Sequence, residues 1–248
     1  MFVRRHKLRA SPFRQILSIP GTVALYDPGR QIATGTTGQV LTDYSGRGNH
    51  CQLGTTTDSD SNDPAWGDNA LVHDADDYAH RRLTWDVNSP ADHLVVFSSN
   101  TQGTSTTQRF CFIHRAWNRF YSIRLIRSWG TSNLLACVSV YDADGLRVGS
   151  EITIAAGAAY AYLLRRTATK AQLIDPRNCA VVSEQTLGNH DAGLNYFSTN
   201  GERGASFKVE DLSIYGIQSV LRNMTDAEVT RAYHAMSSLM ASRGVALA

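Results

Sequence analysis

Residues 43–50 read Asp-Tyr-Ser-Gly-Arg-Gly-Asn-His, the most distinctive stretch of the 248-residue chain. Two glycines one residue apart, followed by asparagine, allow positive φ at several positions, as a tight reversal between a strand and a loop requires. An apolar run that suits a strand, Val23–Tyr26, precedes the stretch. The sequence therefore predicts a strand and then a compact polar turn near the start of a β-rich body.

Ten short strand-like runs lie between Thr22 and Tyr215, separated by clusters of Gly, Asn, Asp, Ser and Pro. Almost none of this region carries the apolar spacing of a helix. Within Phe120–Trp129, the alternate residues Tyr121, Ile123 and Leu125 form the better core face. This pattern predicts an all-β body of two packed antiparallel sheets.

Turn residues mark the connections between these runs. Asp142–Gly145 and Asp175–Asn178 carry the Asp, Asn, Pro and Gly that hairpin turns favour. Gly54–Asn69 is dominated by Thr, Asp, Ser and Asn, and we predict a long surface loop there.

One helix is predicted, over residues 225–243. Thr225 and Glu228 form a T-x-x-E capping box, apolar residues follow at helical spacing, and Gly244 provides a stop. The body is therefore expected to end in a single short C-terminal helix.

Three segments, taken in chain order, resemble the concanavalin A-like lectin/glucanase superfamily and its laminin G-like domains. Residues 43–50 are similar to the family's D-x-S-G-x-G-N-H turn. Ala70–Tyr78 resembles its A-L-x-F-D-G-x-D-D-Y segment, although it is one residue shorter and has His73 and Ala75 in place of the aromatic residue and the glycine. Phe207–Tyr215 resembles the closing strand.

The helix that follows, with Leu221–Glu228 at its start, resembles the family's "L-t-d-a-E" segment. The resemblance runs from about Thr22 to Met240. It implies a two-sheet jelly-roll sandwich, and we expect residues 21–248 to form one such domain.

Composition narrows the possible partners. Hydrophobic residues make up 42% and charged residues 19% of the chain, which suits a globular domain. The net charge of +2 is too small for nucleic acid to be an expected partner. No apolar run of membrane-spanning length occurs, and the N-terminus lacks the apolar stretch of a secretory signal, so neither a membrane nor export is expected.

Residues 1–20 carry five basic residues and no acidic one. Apolar residues lie between them, so this segment is predicted to be an arm that a partner protein orders; a disordered terminus is the alternative. The predicted partner-binding residues are Arg4, Arg5, Lys7, Arg9, Phe13 and Arg14.

No sequence motif for catalysis is found. Some members of the superfamily hydrolyse glycosides, which requires two carboxylates about 5–10 Å apart. Glu210 and Asp211 are adjacent, so a strand would turn them to opposite faces. The histidines show no metal-ligand spacing, and nucleophile and phosphate-binding motifs are absent. We therefore predict that the chain is not an enzyme and has no certain cofactor.

A calcium ion is the one metal that the resemblance implies. The family often holds Ca²⁺ through loop oxygens, and Asp74, Asp76 and Asp77 could supply them. An alternative is that these carboxylates are only solvated.

A glycan would need an exposed aromatic residue flanked by polar groups. Trp66, in the polar stretch, is the better candidate. Trp117 and Trp129 lie at strand ends and are expected to close the core.

The leading hypothesis is a structural protein of a tailed-bacteriophage virion, made in the host cytoplasm without a signal peptide. It would decorate a capsid or tail, with residues 1–20 contacting the major capsid or tail proteins and copies of itself. The alternative is a carbohydrate-binding or host-receptor-binding module with a host glycan as partner. A glycoside hydrolase ranks third. The sequence does not distinguish a head location from a tail location.

Overall fold

The computed structural model describes residues 11–54, 56–74, 77–83, 89–99, 109–116, 119–127, 133–142, 145–188, 195–199 and 211–248. The helices are α1 (Pro12–Leu17), α2 (Pro28–Ala33) and α3 (Asp226–Ala241). The strands are β1 (Thr22–Tyr26), β2 (Val40–Leu41), β3 (Cys51–Leu53), β4 (Ala65–Trp66), β5 (Leu71–His73), β6 (Ala79–Leu83), β7 (Ala91–Ser99), β8 (Arg109–Ala116), β9 (Arg119–Arg127), β10 (Asn133–Asp142), β11 (Gly145–Val148), β12 (Ile152–Ala155), β13 (Tyr160–Arg166), β14 (Lys170–Asp175), β15 (Ala180–Thr186), β16 (Asn195–Thr199) and β17 (Leu212–Val220).

The strands of the described residues form two antiparallel sheets. The eight-stranded sheet has the order β15-β14-β13-β7-β17-β5-β4, with β1 also paired to β17. The nine-stranded sheet has the order β11-β10-β9-β8-β16-β6-β3-β2, with β12 also paired to β10. The prediction of an all-β jelly-roll sandwich with a short C-terminal helix is confirmed.

The main core lies between the two sheets, and alternation along each strand decides which residues enter it. On β9, Tyr121, Ile123 and Leu125 are buried in this core, as the sequence pattern predicted. They face residues of the eight-stranded sheet such as Phe97 and Leu164. The sandwich is therefore held together chiefly by burial of apolar surface between the sheets.

A second core covers the other side of the eight-stranded sheet. Its strand residues include Leu94, Val96 and Leu163, and α3 packs onto them through an apolar stripe. The buried residues of that stripe are Val229, Ala232, Ala235, Met236 and Met240. The capping box predicted at Thr225 and Glu228 is present, so the helix prediction is confirmed to within two residues at its C-terminus.

The second half of the predicted arm belongs to this folded body. Pro12–Leu17 forms α1, capped by Ser11, and Ile16 and Ile19 are fully buried in the second core beside α3. Phe13 packs edge-on against Tyr44 instead of reaching outward. The arm boundary at residue 20 is therefore corrected, because apolar residues spaced three apart dock this short helix. Arg4, Arg5, Lys7 and Arg9 lie outside the described residues.

The turn at residues 43–50 closes around one carboxylate. Asp43 Oδ1 accepts hydrogen bonds from the backbone N–H groups of Leu25 at 3.0 Å and Ser45 at 2.8 Å. Its Oδ2 accepts from Ser45 Oγ at 2.8 Å and from Asn49 N–H at 2.9 Å. Gly46 and Gly48 have φ of 80° and 73°, which confirms the positive φ expected from the sequence. The turn thus fixes β1 to the edge of the nine-stranded sheet.

Both predicted hairpins are present. Asp142 pairs with Gly145, and Asp175 pairs with Ala180 across the second turn. The polar stretch predicted as one long loop contains β4, which pairs with β5, so it is only partly irregular. Within the described residues, no helix combines the length and apolar character needed to cross a membrane.

Candidate functional site

An open cavity lies at one end of the nine-stranded sheet, over β2, β3 and β6. Val40 pairs with Gln52, and Gln52 pairs with His80, so these three residues form a row across the strands. Their chain neighbours Leu41 and Ala79 enter the core, which turns the row to the opposite side. We call this side, which faces away from the eight-stranded sheet, the outer face. The cavity has a volume of about 350 Å³ and is lined by Val40, His50, Cys51, Gln52, His80, Arg81 and Arg82.

Two histidines offer polar ring atoms to this cavity. His50 is exposed, and its Nδ1 accepts a hydrogen bond from the Asp43 backbone N–H at 3.1 Å. In the neutral imidazole the proton therefore sits on Nε2, which becomes a donor. Burial lowers the pKa of His80, so its ring is neutral near pH 7. His50 thus turns its Nε2 towards a ligand, and the ring of His80 lines the same cavity.

Gln52 is held rigidly beside them. Its side-chain amide donates to the carbonyls of Gln39 at 3.2 Å and Leu53 at 3.0 Å, and also to that of Thr56. These bonds orient the amide and leave its Oε1 as an acceptor without a partner among the described residues. A preset acceptor of this kind can receive a ligand hydroxyl.

The two arginines of β6 differ in position. Alternation places Arg81 beside the core and Arg82 on the outer face, where Arg82 is exposed. Burial raises the pKa of the Cys51 thiol, and the nearby charge of Arg81 opposes this shift. Arg81 therefore contributes to the floor of the cavity, whereas Arg82 lies exposed at its rim.

Backbone register can be followed from Arg82 across the sheet. Strand register aligns Arg82 with residues of β16, β8, β9, β10 and β11, a set that we call the Arg82–Leu146 row. In order, its members are Arg82, Tyr196, Arg115, Phe120, Tyr141 and Leu146.

The far end of the row is apolar and accessible. The rings of Phe120 and Tyr141 stack with centroids 5.5 Å apart and an interplanar angle of 14°. Tyr141 is 40% exposed and Leu146 39%. On the adjacent row, Ser122 and Ser139 are fully buried, with their Oγ atoms 2.7 Å apart. On β9 and β10, the outer face is therefore accessible at the Phe120–Tyr141 pair and covered at Ser122 and Ser139.

Trp66 lies outside the set that lines the cavity. It is half-buried on β4, packs against the main core, and donates from Nε1 to the Gly38 carbonyl at 3.1 Å. Gly38 stands two residues before Val40, so Trp66 adjoins the cavity through the chain that enters β2. Its predicted role as a glycan platform stays a prediction, and Trp117 and Trp129 lie outside the described residues.

The predicted calcium ligands are only partly described. Asp77 Oδ2 accepts a hydrogen bond from the Asp74 backbone N–H at 2.9 Å. Burial, reinforced by the charges of Asp74 and Asp63, raises the pKa of Asp77 to about 6. Asp76 lies outside the described residues, within which no three His, Cys, Asp or Glu side chains converge as for a metal ion. The calcium site stays a prediction.

The sequence analysis did not predict that the cavity residues form a site. Their only signal is local: polar residues alternate with core residues at Gln52 and His80. The Phe120–Tyr141 pair gave none, because the two residues are neighbours only through the register of β9 and β10.

Comparisons with known proteins show the fold. No protein-family model matches the chain, and no curated protein matches it. Among solved structures, Trypanosoma rangeli sialidase in complex with sialic acid is similar, with a TM-score of 0.61 and 11% identity over 89% of this chain. Domain 4 of a GH43 extracellular arabinanase from Geobacillus stearothermophilus, in complex with arabinotriose, has a TM-score of 0.57 and 13% identity over 85% of this chain.

The binding domain of botulinum neurotoxin DC in complex with SialylT is also similar, with a TM-score of 0.55 and 8% identity over 89% of this chain. The matches cover 33% of the sialidase chain, 97% of the arabinanase domain and 52% of the neurotoxin chain. This chain therefore spans about a third of the length of the sialidase it matches.

The prediction that the chain is not an enzyme is wrong. Solved structures that share its fold include part of a sialidase, which is an enzyme, and one domain of an arabinanase, so the fold gives no ground for excluding catalysis. The prediction relied on missing sequence motifs, and catalytic groups that converge only in three dimensions leave no such motif.

Proposed function

We propose that this chain binds carbohydrate, and that the glycan lies in the cavity over β2, β3 and β6. The observation that carries the proposal is the set of polar groups that converge there: the Nε2–H of His50, the Oε1 of Gln52, the ring of His80 and the guanidinium of Arg82. A sugar presents closely spaced hydroxyls that both donate and accept hydrogen bonds. An open site with preset donors and acceptors matches that chemistry.

The similar structures support this proposal at the level of the fold. Three of them were solved with sialic acid, arabinotriose or SialylT bound. The arabinanase domain is matched over 97% of its length, so at least one domain of this fold is known with a sugar bound.

A binding experiment with matched variants tests the proposal. The chain is screened against a glycan array, and the best ligand is titrated by calorimetry. Gln52→Ala is expected to weaken binding about tenfold, because a buried ligand hydroxyl loses its partner. Gln185→Ala on β15, outside the cavity, is the control and should bind normally. The proposal would be contradicted if Gln52→Ala bound the glycan with unchanged affinity, or if no glycan on the array bound.

Because the chain is similar to part of a sialidase and to a domain of an arabinanase, turnover of the glycan is measured as well. The bound glycan is incubated with the chain and analysed for released sugars, so that binding and turnover are measured on the same ligand.

Display on a phage virion remains a proposal for the setting in which binding occurs. It is supported by the position of α1, which packs beside α3 on the far side of the eight-stranded sheet. Residues 1–10, which include four basic residues, precede α1 in the chain, and α1 lies on the side opposite the outer face. A contact with capsid or tail proteins there would leave the cavity accessible.

Deleting residues 1–10 tests this arrangement. Incorporation into particles should be lost, while glycan affinity should be unchanged because the cavity lies on the other sheet. Normal incorporation of the truncated chain would contradict an anchoring role.

A further inference from the structure

We infer that the ligand is an acidic oligosaccharide that extends along the Arg82–Leu146 row, with its charged group at Arg82 and an uncharged ring on the Phe120–Tyr141 pair. This inference rests on the proposed function and specifies the class of sugar.

The charge of the site favours an anion. None of the described residues that line the cavity is acidic, whereas Arg81 and Arg82 are cationic. The nearest carboxylate in the adjoining turn, Asp43, is buried and already accepts four hydrogen bonds. Within the described part of the chain, no carboxylate pairs with Arg82. An exposed guanidinium that no described carboxylate pairs with suits a carboxylate or sulfate group, which it can bind in a bidentate manner.

His50 adds a second donor to the same end of the row. Its Nδ1 is occupied by the Asp43 backbone N–H, so Nε2–H is the atom that it offers to a ligand. A ligand oxygen that carries negative charge accepts such a bond more strongly than a neutral hydroxyl does.

The apolar end of the row suits a sugar ring. One face of a pyranose exposes mainly C–H groups, which pack on aromatic rings. The Phe120 and Tyr141 rings stack nearly parallel, and Leu146 extends the same surface. Their partial exposure leaves room for such a contact.

The length of the row requires an oligosaccharide. Arg82 and Tyr141 lie on β6 and β10, which are separated by β16, β8 and β9. Four spacings of about 4.8 Å place the two positions about 19 Å apart. A single sugar ring does not reach both, so a ligand that uses both ends contains several units.

The test compares acidic glycans with their neutral counterparts. The probes are sialyllactose with lactose, an oligogalacturonate with its methyl ester, and a heparin oligosaccharide with its desulfated form. Each is titrated against the full chain by calorimetry at low and high salt. At least one acidic member should bind about tenfold more tightly than its neutral partner, and added salt should reduce that difference.

Two variants separate the ends of the row. Arg82→Gln should abolish the preference for the acidic member, whereas Tyr141→Ala should weaken both members of a pair by a similar factor. Arg231→Gln on α3 and Val181→Ala on β15 are the matched controls, since both side chains are exposed away from the outer face. Thermal melting of every variant shows whether it is folded.

The outcomes are distinct. Equal affinity for acidic and neutral members, or an acidic preference that survives Arg82→Gln, would overturn the charge assignment while leaving carbohydrate binding intact. Unchanged binding in Tyr141→Ala would overturn the aromatic subsite and assign that surface to another partner. If a broad glycan array also gives no binding at all, the proposed function itself fails.

Discussion

Single buried polar side chains fix local geometry within this sandwich. Asp43 shows this most clearly, because both of its oxygens accept two hydrogen bonds inside the turn at residues 43–50. The sequence could predict the turn, since Gly46 and Gly48 reveal positive φ locally. It could not show that Asp43 also reaches back to Leu25, because that contact depends on tertiary structure.

Asp43→Asn is expected to lower the free energy of unfolding by about 3 kcal/mol. An amide replaces one accepting oxygen with a donor, so two buried donors lose their partner. Ser45→Ala removes the hydroxyl bonds to Asp43, the Val23 carbonyl and the Arg47 N–H but leaves the carboxylate in place, and it should cost about 1 kcal/mol. Urea denaturation of both variants measures the difference. Equal effects would contradict the central role of the carboxylate.

Because two histidines are fully buried, we expect the free energy of unfolding to fall in mild acid. His73 Nε2 lies 2.8 Å from Thr199 Oγ1, and His93 Nδ1 lies 2.9 Å from Ser219 Oγ. Burial lowers the pKa of His73 to about 4 and that of His93 to about 3. Below the unfolded pKa of about 6.5, the unfolded chain therefore binds protons that the folded chain does not.

Each of these histidines stabilises the fold fully above about pH 6.5, and this contribution falls by about 1.4 kcal/mol per pH unit as the pH drops towards the folded pKa. Unfolding measured between about pH 6.5 and 5 should show this slope. The double variant His73→Gln, His93→Gln should show a much flatter profile. An unchanged slope in the double variant would contradict the assignment.

Elements were predictable where their signals are local. The capping box and apolar stripe of α3 and the alternation in β9 all lie within a few residues, and the structure confirms each. Helix α1 was missed because six residues do not form a stable helix alone; its packing against α3 supplies the stability. The Arg82–Leu146 row was equally hidden, because strand register joins residues that are distant in sequence.

Asp92 fastens three elements at the helix side of the sandwich. This fully buried residue of β7 receives Arg165 of β13 in a bidentate pair at 2.9 and 2.8 Å. It also accepts from the backbone N–H of Met224, just before α3, at 2.8 Å. The arrangement locks the start of α3 onto the sheet.

Asp92→Ala is expected to destabilise the fold by about 3–5 kcal/mol, because it leaves the Arg165 charge without a partner. Lys170→Ala, which breaks an exposed ion pair with Glu184, should cost at most about 1 kcal/mol. Thermal or urea unfolding compares the two. A small effect at Asp92 would show that the junction is held by apolar packing alone.

The two sides of the sandwich differ in what covers them. Helices α1 and α3 cover the eight-stranded sheet, so that side is occupied by the protein's own packing. The outer face of the nine-stranded sheet has no such helix within the described residues, and it carries the cavity and the Arg82–Leu146 row. The proposed attachment and the proposed glycan binding would therefore use opposite sides of the molecule.

The most direct test of glycan binding on the outer face is to map where a bound glycan contacts the folded chain. Backbone amide NMR signals are followed as the tightest glycan from the array is added. The largest shifts should fall on β2, β3 and β6, and extend to β9 and β10, while α1 and α3 remain unchanged. Shifts confined to the helix side, or to the loop around Asp74 and Asp77, would contradict recognition on the outer face.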